Sequence, residues 1–300
     1  MALWQAEFVR TTLIQHYPDL TVKLLGLKTI GDILLDQSLD KLGGKGVFVK
    51  ELEHALLSGE ADLAVHSLKD VPAFFPAGLG LAAVCVRENP LDAWICPAGA
   101  SLENLPAGSR VGTSSLRRCV QLQHMRPDLV YLPLRGNVGT RLEKCQRGEY
   151  EAIVLAHAGL SRLHLTHVIT QVFSPLQLLP AVGQGALGIE CRLENASLRA
   201  LLSVLDHAPT RRCVYAERAM NARLGGSCQV PVAGFAQEIG DKIVLTGRVG
   251  DPDSGRILEA RSEGELTAGE AIGEQVALDL IAQGAQAIID KLSAQSSHGK

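Results

Sequence analysis

Closely spaced cysteines are missing from this sequence. Its seven cysteines (85, 96, 119, 145, 191, 213 and 228) form no CxxC pair and no close Cys/His ligand set. An odd, scattered count in a long chain reads as reduced thiols, not a disulfide framework. Long apolar runs are also lacking: none reaches the length of a membrane span, and Met1 to Arg10 has no basic start of a signal peptide. The expectation is a cytoplasmic protein. Charge of one sign is not in excess either. A formal net charge of −3 gives no global reason to expect nucleic acid or a membrane as partner.

Three common signatures fail on inspection. Gly43-Gly44-Lys45-Gly46 lacks the upstream glycine of a phosphate loop and has Gly46 where Ser or Thr is needed. A mobile basic flap carrying Lys45 is the better reading. Gly183-Gln184-Gly185-Ala186-Leu187-Gly188 matches G-x-G-x-x-G by letter, but Ile189 to Arg192 reads as a strand where a dinucleotide site requires a helix. His164 and His167 stand without acidic or cysteine neighbours, so no metal is expected.

What is present is a globular composition, with 46% hydrophobic and 20% charged residues over 300 positions, enough for two or three domains. A helix opens the chain, with Ala2, Ala6, Val9, Leu13 and Tyr17 at helical spacing, and Thr21 to Lys28 alternates like a strand. A helix over 47–58, a strand over 61–65 and another over 81–86 follow. From about residue 90, strands at 110–112, 129–134 and 152–155 alternate with helices at 115–125 and 138–147, which implies parallel α/β sheets. After Pro209 a helix over 211–224 precedes three strands (230–237, 242–249 and 257–263) and a long helix over 268–292, an antiparallel α+β unit. The expected division is 1–86 with 187–205 as one α/β lobe, 90–182 as a second, 208–293 as the α+β domain, and 294–300 as a polar tail.

Local charge is less even than the total. Six arginines and one acid, Asp128, fall between Arg110 and Arg141. Thr113-Ser114-Ser115-Leu116-Arg117-Arg118 follows a strand and starts a helix, where hydroxyls, free N–H groups and guanidiniums meet an anion. Arg135-Gly136-Asn137-Val138-Gly139-Thr140-Arg141 repeats the arrangement at the next junction, with Asn137 as a plausible N-cap. Ala158-Gly159-Leu160-Ser161-Arg162 supplies a third. One such motif alone reads as surface arginines meeting solvent. Three in succession on the carboxyl rim of a sheet favour a ligand with many carboxylates, which arginine meets with paired hydrogen bonds. His66-Ser67-Leu68-Lys69-Asp70 ends another strand; composition leaves open whether Lys69 and Asp70 face the same rim or begin a loop. Cys228 sits between glycines and Pro231 in an open turn, suited to covalent attachment, although a structural thiol remains the commoner role.

Seven segments in this order resemble the hydroxymethylbilane synthase (porphobilinogen deaminase) family. They are ALWQA near the start, GGKGVFVKELE at 43–53, AVHSLKDVP at 64–72, VGTSSLRR at 111–118, LRGNVGTRL at 134–142, LPAVGQGALGIECR at 179–192 and AERAMNARLGGSCQVP at 216–231. The resemblance implies two α/β lobes like those of periplasmic binding proteins around a cleft, plus a small C-terminal α+β domain. It implies a dipyrromethane cofactor on Cys228 and Asp70 as the catalytic carboxylate. Lys69, Ser115, Arg117, Arg118, Arg135, Arg141 and Arg162 would bind cofactor or substrate carboxylates, Thr113 and Ser114 would add donors, and Lys45 would lie in a loop over the cleft. The implied reaction joins four porphobilinogens, each losing ammonia to give an azafulvene, before water releases linear hydroxymethylbilane for haem synthesis. Members are usually monomeric and begin with a strand and an Arg-x-Ser-x-Leu-Ala element. Here Met1 directly precedes ALWQA, so that first strand is expected to be missing and an impaired, truncated synthase is one alternative. A two-lobed anion receptor without catalysis is another; the absent export signal and the loop cysteine argue against it. An NAD-linked dehydrogenase rests only on the rejected glycine string.

Overall fold

The computed structural model describes residues 1–27, 49–225 and 230–298. Helix α1 (Ala2–His16) buries Gln5, Val9 and Leu13, one residue per turn on a single stripe. Val9 and Leu13 join a core with Ala83, Cys85, Leu187, Ile189 and Cys191. After α2 (Lys50–Ser58), which ends on Gly59 in the left-handed region, come β1 (Leu63–Ser67), a tight turn over Leu68–Asp70 and β2 (Leu79–Val84). Of the strand expected over 21–28, residues 21–27 form none; Val22, with Leu20 just before it, packs against the core under α1.

The second unit holds β3 (Asp92–Ile95), β4 (Arg110–Gly112), α3 (Leu116–Met125), β5 (Val130–Leu132), α4 (Val138–Gln146), β6 (Ala152–Ala156), α5 (His157–Arg162) and β7 (Gln171–Val172). The chain then returns through β8 (Leu187–Arg192) to the first unit, followed by α6 (Ala196–Leu202). The last unit is α7 (Ala208–Arg223), β9 (Val232–Ile239), β10 (Lys242–Gly250), β11 (Ile257–Glu265), α8 (Gly269–Ala282) and α9 (Ala285–His298). Gly284, with φ of +105°, separates α8 from α9 where one long helix was expected, and α9 continues to His298, into the stretch read as a polar tail.

Sheet order is β1-β8-β2 in the first unit, β5-β4-β6-β3-β7 in the second and β11-β10-β9 in the third. The parallel expectation holds for β4 with β5 and β6, the strands linked by α3 and α4. It fails in the first unit, where β8 returns from the second and lies antiparallel to both β1 and β2. β3 and β7, also antiparallel to their neighbours, were not anticipated. β3 is buried at all four positions, so it shows no alternation to read.

Two chain crossings join the first and second units, and they are bonded to one another. Cys85 N donates to Leu187 O at 3.0 Å, Glu88 N to Gly185 O at 3.1 Å, and Gln184 Nε2 to Pro90 O at 2.6 Å. A Cβ on Gly185 would lie 2.3 Å from Glu88 O, and its φ is +89°. The glycine string that fails as a dinucleotide motif therefore serves this close crossing.

Candidate functional site

A cleft of about 300 Å³ opens beside the crossings, between the ends of β1 and β6 and the first turn of α4. Among the described residues, its charged lining is Lys69, Asp70, Arg118, Arg141 and Arg162, four cations and one carboxylate. They arrive from four elements. Lys69 and Asp70 occupy the turn after β1, Lys69 half-buried and Asp70 exposed. Arg118 lies in the first turn of α3, Arg141 in α4 and Arg162 at the end of α5. Gln5 reaches the same cleft from α1, where its Nε2 donates to Ser67 Oγ at 2.7 Å.

The helix starts form as their sequences suggest. Ser115 caps α3 by accepting from Arg118 N at 3.4 Å, and Asn137 caps α4 by accepting from Thr140 N at 2.9 Å. The other hydroxyls of the first motif bond within the protein. Thr113 is buried and its Oγ1 accepts from Ser115 N at 3.2 Å. Ser114 Oγ donates to Leu134 O at 2.9 Å and accepts from Leu134 N at 3.0 Å, tying the end of β4 to the segment after β5.

The arginines divide into two groups. Arg117 turns inward, its Nη1 donating to Asp92 Oδ2 at 2.8 Å and Leu179 O at 2.7 Å, and it does not line the cleft. Arg118 shares the same acid, with Nε and Nη2 on Asp92 Oδ1 at 3.0 and 2.7 Å, yet reaches the cleft wall. Arg110 and Arg126 pair with Glu151 and Asp128 away from it. Arg162 donates to Gly185 O at 2.7 Å and its guanidinium carbon stands 5.6 Å from the Trp4 ring centroid. Arg141 Nε donates to Gly136 O at 2.7 Å. Arg135 is half-buried outside the lining residues, near enough to Arg141 to disfavour its charge.

Electrostatics favour an anionic occupant. Burial lowers the pKa of Lys69, Arg141 and Arg162; Arg118 lowers the first two further, while Asp70 works in the opposite direction on both. Asp92 behaves differently: burial alone would raise its pKa, but Arg117 and Arg118 hold it well below the usual carboxylate range. Gln184, which lines the cleft, bonds through Nε2 to Pro90 O and Asp92 Oδ1, and its Oε1, buried from solvent, has no hydrogen-bond partner among the described residues.

Lys45 and Cys228 lie outside the described residues. Sequence reasoning missed Asp92, Gln184, Gln5 and the buried pair of His66 Nε2 and Glu190 Oε2 at 2.7 Å. Asp92 carried no signal beyond an acid before an apolar run. Gln184 was hidden inside a motif read only for its glycines.

Among solved structures, the chain overlaps loosely with several proteins. The periplasmic VFT2 domain of BvgS from Bordetella pertussis is 16% identical, with 67% of this chain and 75% of that one covered at a TM-score of 0.40. The probable amino-acid transporter binding protein ytmK from Bacillus subtilis is 10% identical, covering 67% and 79% at 0.39. The aliphatic sulphonate binding protein SsuA from Escherichia coli is 12% identical, covering 73% and 67% at 0.38. Family models are far more specific. Residues 1–200 match porphobilinogen deaminase, dipyromethane cofactor binding domain, and residues 211–282 match porphobilinogen deaminase, C-terminal domain. Together they span the cleft, both crossings and the third sheet, so the chain belongs to the porphobilinogen deaminase family.

Proposed function

We propose that the cleft between β1, α3, α4 and α5 is where this transferase performs its family's reaction, and that Asp70 is its catalytic carboxylate. The family is hydroxymethylbilane synthase, which condenses four porphobilinogens with release of ammonia and carries a dipyrromethane cofactor. One observation carries the reading: among the described residues, four cations share the cleft with one exposed carboxylate.

The residues present fit such a group. Each pyrrole bears two carboxylates and one N–H. Lys69, Arg118, Arg141 and Arg162 offer donors to the carboxylates, and Asp70 offers an acceptor for N–H. When bound through Cys228, the dipyrromethane supplies the free pyrrole carbon from which the chain is extended. Asp70 would accept a hydrogen bond from a pyrrole N–H and stabilise positive charge there as ammonia leaves. Arg141 and Arg162 would hold substrate carboxylates, and Lys69 and Arg118 those nearer the turn. Ser114, Ser115 and Thr113 would act by shaping the α3 start, Arg117 by sharing Asp92 with Arg118, and Arg135 by adding a cation beside Arg141. Lys45 would belong to the loop over the cleft.

We further propose a cytoplasmic monomer with porphobilinogen as its only partner. All six cysteines among the described residues are free thiols, in keeping with a reducing compartment. No described helix is long and apolar enough to cross a membrane. Domain limits at 1–86 with 187–205, 90–182 and 208–293 each enclose one sheet. Intact-mass analysis tests the cofactor assignment: the purified chain is expected to be heavier by a dipyrrole unit mapping to Cys228. An unmodified chain that still turns over would overturn it. Asp70→Asn is expected to keep the fold and lose most turnover; near-normal turnover would remove Asp70 from this role.

A further inference from the structure

The helix that leads toward Cys228 also grips the turn that carries Asp70. Val214 of α7 is fully buried in one cluster with Leu68 and Val71, with Phe75 packed against it. One helical turn further along α7, Arg218 Nη2 donates to Pro72 O at 2.8 Å and to Ala73 O at 3.1 Å, and Nη1 reaches Val71 O at 3.4 Å. Its guanidinium carbon stands 5.2 Å from the Phe75 ring centroid. Arg218 is buried, and no carboxylate lies within ion-pair distance of it among the described residues. Its charge is therefore spent on three consecutive carbonyls and a ring face, all in the segment that follows Asp70.

The opposite side of the turn is fixed independently. Leu68 N donates to Ala186 O at 3.1 Å and Val71 N to Leu68 O at 3.2 Å. A Cβ on Gly188 would lie 2.6 Å from Leu68 Cδ1, so β8 leaves Leu68 no spare room. Asp70 is thus an exposed side chain on a turn whose flanks are both held. A planar fork is needed to span successive carbonyls from one side chain; an ammonium group is a single point of charge.

We propose that Arg218 is a positioning residue for the reaction, fixing the Leu68–Ala73 turn and with it the direction of Asp70 relative to the helix that precedes Cys228. This rests on the reading of Asp70 as the catalytic carboxylate. The group that acts is Asp70; Arg218 touches only the backbone behind it.

The test compares holoenzyme variants Arg218→Lys, Arg218→Gln and Asp70→Asn. Arg218→Lys is expected to lower kcat at least ten-fold with KM within two-fold of wild type, and Arg218→Gln to lower kcat further. The cofactor mass should be retained in both. Amide exchange over residues 68–75 should accelerate at least ten-fold while exchange in β10 is unchanged. A folded, cofactor-loaded Arg218→Lys enzyme with wild-type kcat overturns the proposal, as does a loss confined to KM or unchanged exchange over 68–75. If neither Arg218 variant folds, Phe75→Leu takes their place. It removes the ring on which the guanidinium rests and should loosen the three carbonyl bonds, so exchange over 68–75 is expected to accelerate and kcat to fall with KM kept; an unchanged kcat there overturns the proposal. A normal Asp70→Asn enzyme would instead defeat the underlying reading, whatever the Arg218 variants do.

Discussion

Removing the charge of Asp92 is the perturbation whose cost the structure defines best. The carboxylate is fully buried at the start of β3 and receives Arg117 Nη1 at 2.8 Å, Arg118 Nε and Nη2 at 3.0 and 2.7 Å, and Gln184 Nε2 at 3.0 Å. Asparagine fills the same space without the charge and turns one acceptor into a donor facing donors. Two guanidiniums then remain inside with carbonyls as acceptors, Leu179 O for Arg117 and Val154 O for Arg118. Breaking a buried pair in this way costs about 3–5 kcal/mol, a large share of a total stability of roughly 5–15 kcal/mol. The pH dependence has a definite sign. The folded-state pKa of Asp92 lies below its unfolded value of about 3.9. The stabilisation is therefore complete above about pH 4 and is lost as pH falls from there toward the folded pKa. Urea unfolding of wild type and Asp92→Asn at pH 7, and at steps below pH 4, measures both effects. The variant should lose about 3–5 kcal/mol at pH 7, with the gap closing as pH falls. A loss under about 1 kcal/mol at pH 7 would refute the anchoring role of Asp92, and a gap independent of pH would refute its ionised state.

Other consequences can be measured separately. Gly185→Ala places a Cβ 2.3 Å from Glu88 O at a φ of +89°, so thermal melting should show a loss of about 2 kcal/mol or more; a wild-type melt would contradict the close crossing. Arg162→Lys removes the bond to Gly185 O and the stacking on Trp4, and KM should rise about ten-fold, the equivalent of one charge-assisted hydrogen bond; an unchanged KM would take Arg162 out of the substrate contacts. Burial pushes the thiols of Cys85, Cys119, Cys145 and Cys213 up to about 11, so maleimide at pH 7 should leave all four unlabelled until denaturant is added. Rapid labelling of any one in the native protein would show that its surroundings open.

Periodicity and junction chemistry carried most of what the sequence revealed. Ser115 and Asn137 cap the helices they precede, and the strand ends that bear Asp70, Arg118 and Arg162 do meet at one cleft. What stayed illegible depends on distant pairing. β8 lies between β1 and β2 although more than a hundred residues separate it from either in the chain, so no local pattern announces an antiparallel sheet there. β3 is buried on both faces and short, and reads as neither alternation nor helix. Whether an arginine beside a helix start faces a ligand or the interior was likewise undecided. Arg117 and Arg118 are adjacent letters, but Asp92 and Leu179 O, from two remote segments, turn only Arg117 fully inward.

This division of the arginines bears on how the cleft selects its occupant. Arg117 and Arg118 together bring two positive charges to one acid, so the pair leaves the cleft wall positive. Lys69, Arg141 and Arg162 carry charge against the cost of burial, as their lowered pKa values record. Cations held in that way are already desolvated and fixed by the backbone around them, Arg141 by Gly136 O and Arg162 by Gly185 O. A carboxylate entering the cleft therefore meets donors that need little reorganisation, and it relieves the unfavourable charge already there. A neutral ligand of the same shape would gain only the contact. Asp70, close enough to Lys69 and Arg141 to favour their charge, sets a limit, because an excess of carboxylate near its own would be repelled. The arrangement thus favours a ligand that brings carboxylates to the cations and an N–H to Asp70, groups that each pyrrole of the substrate carries.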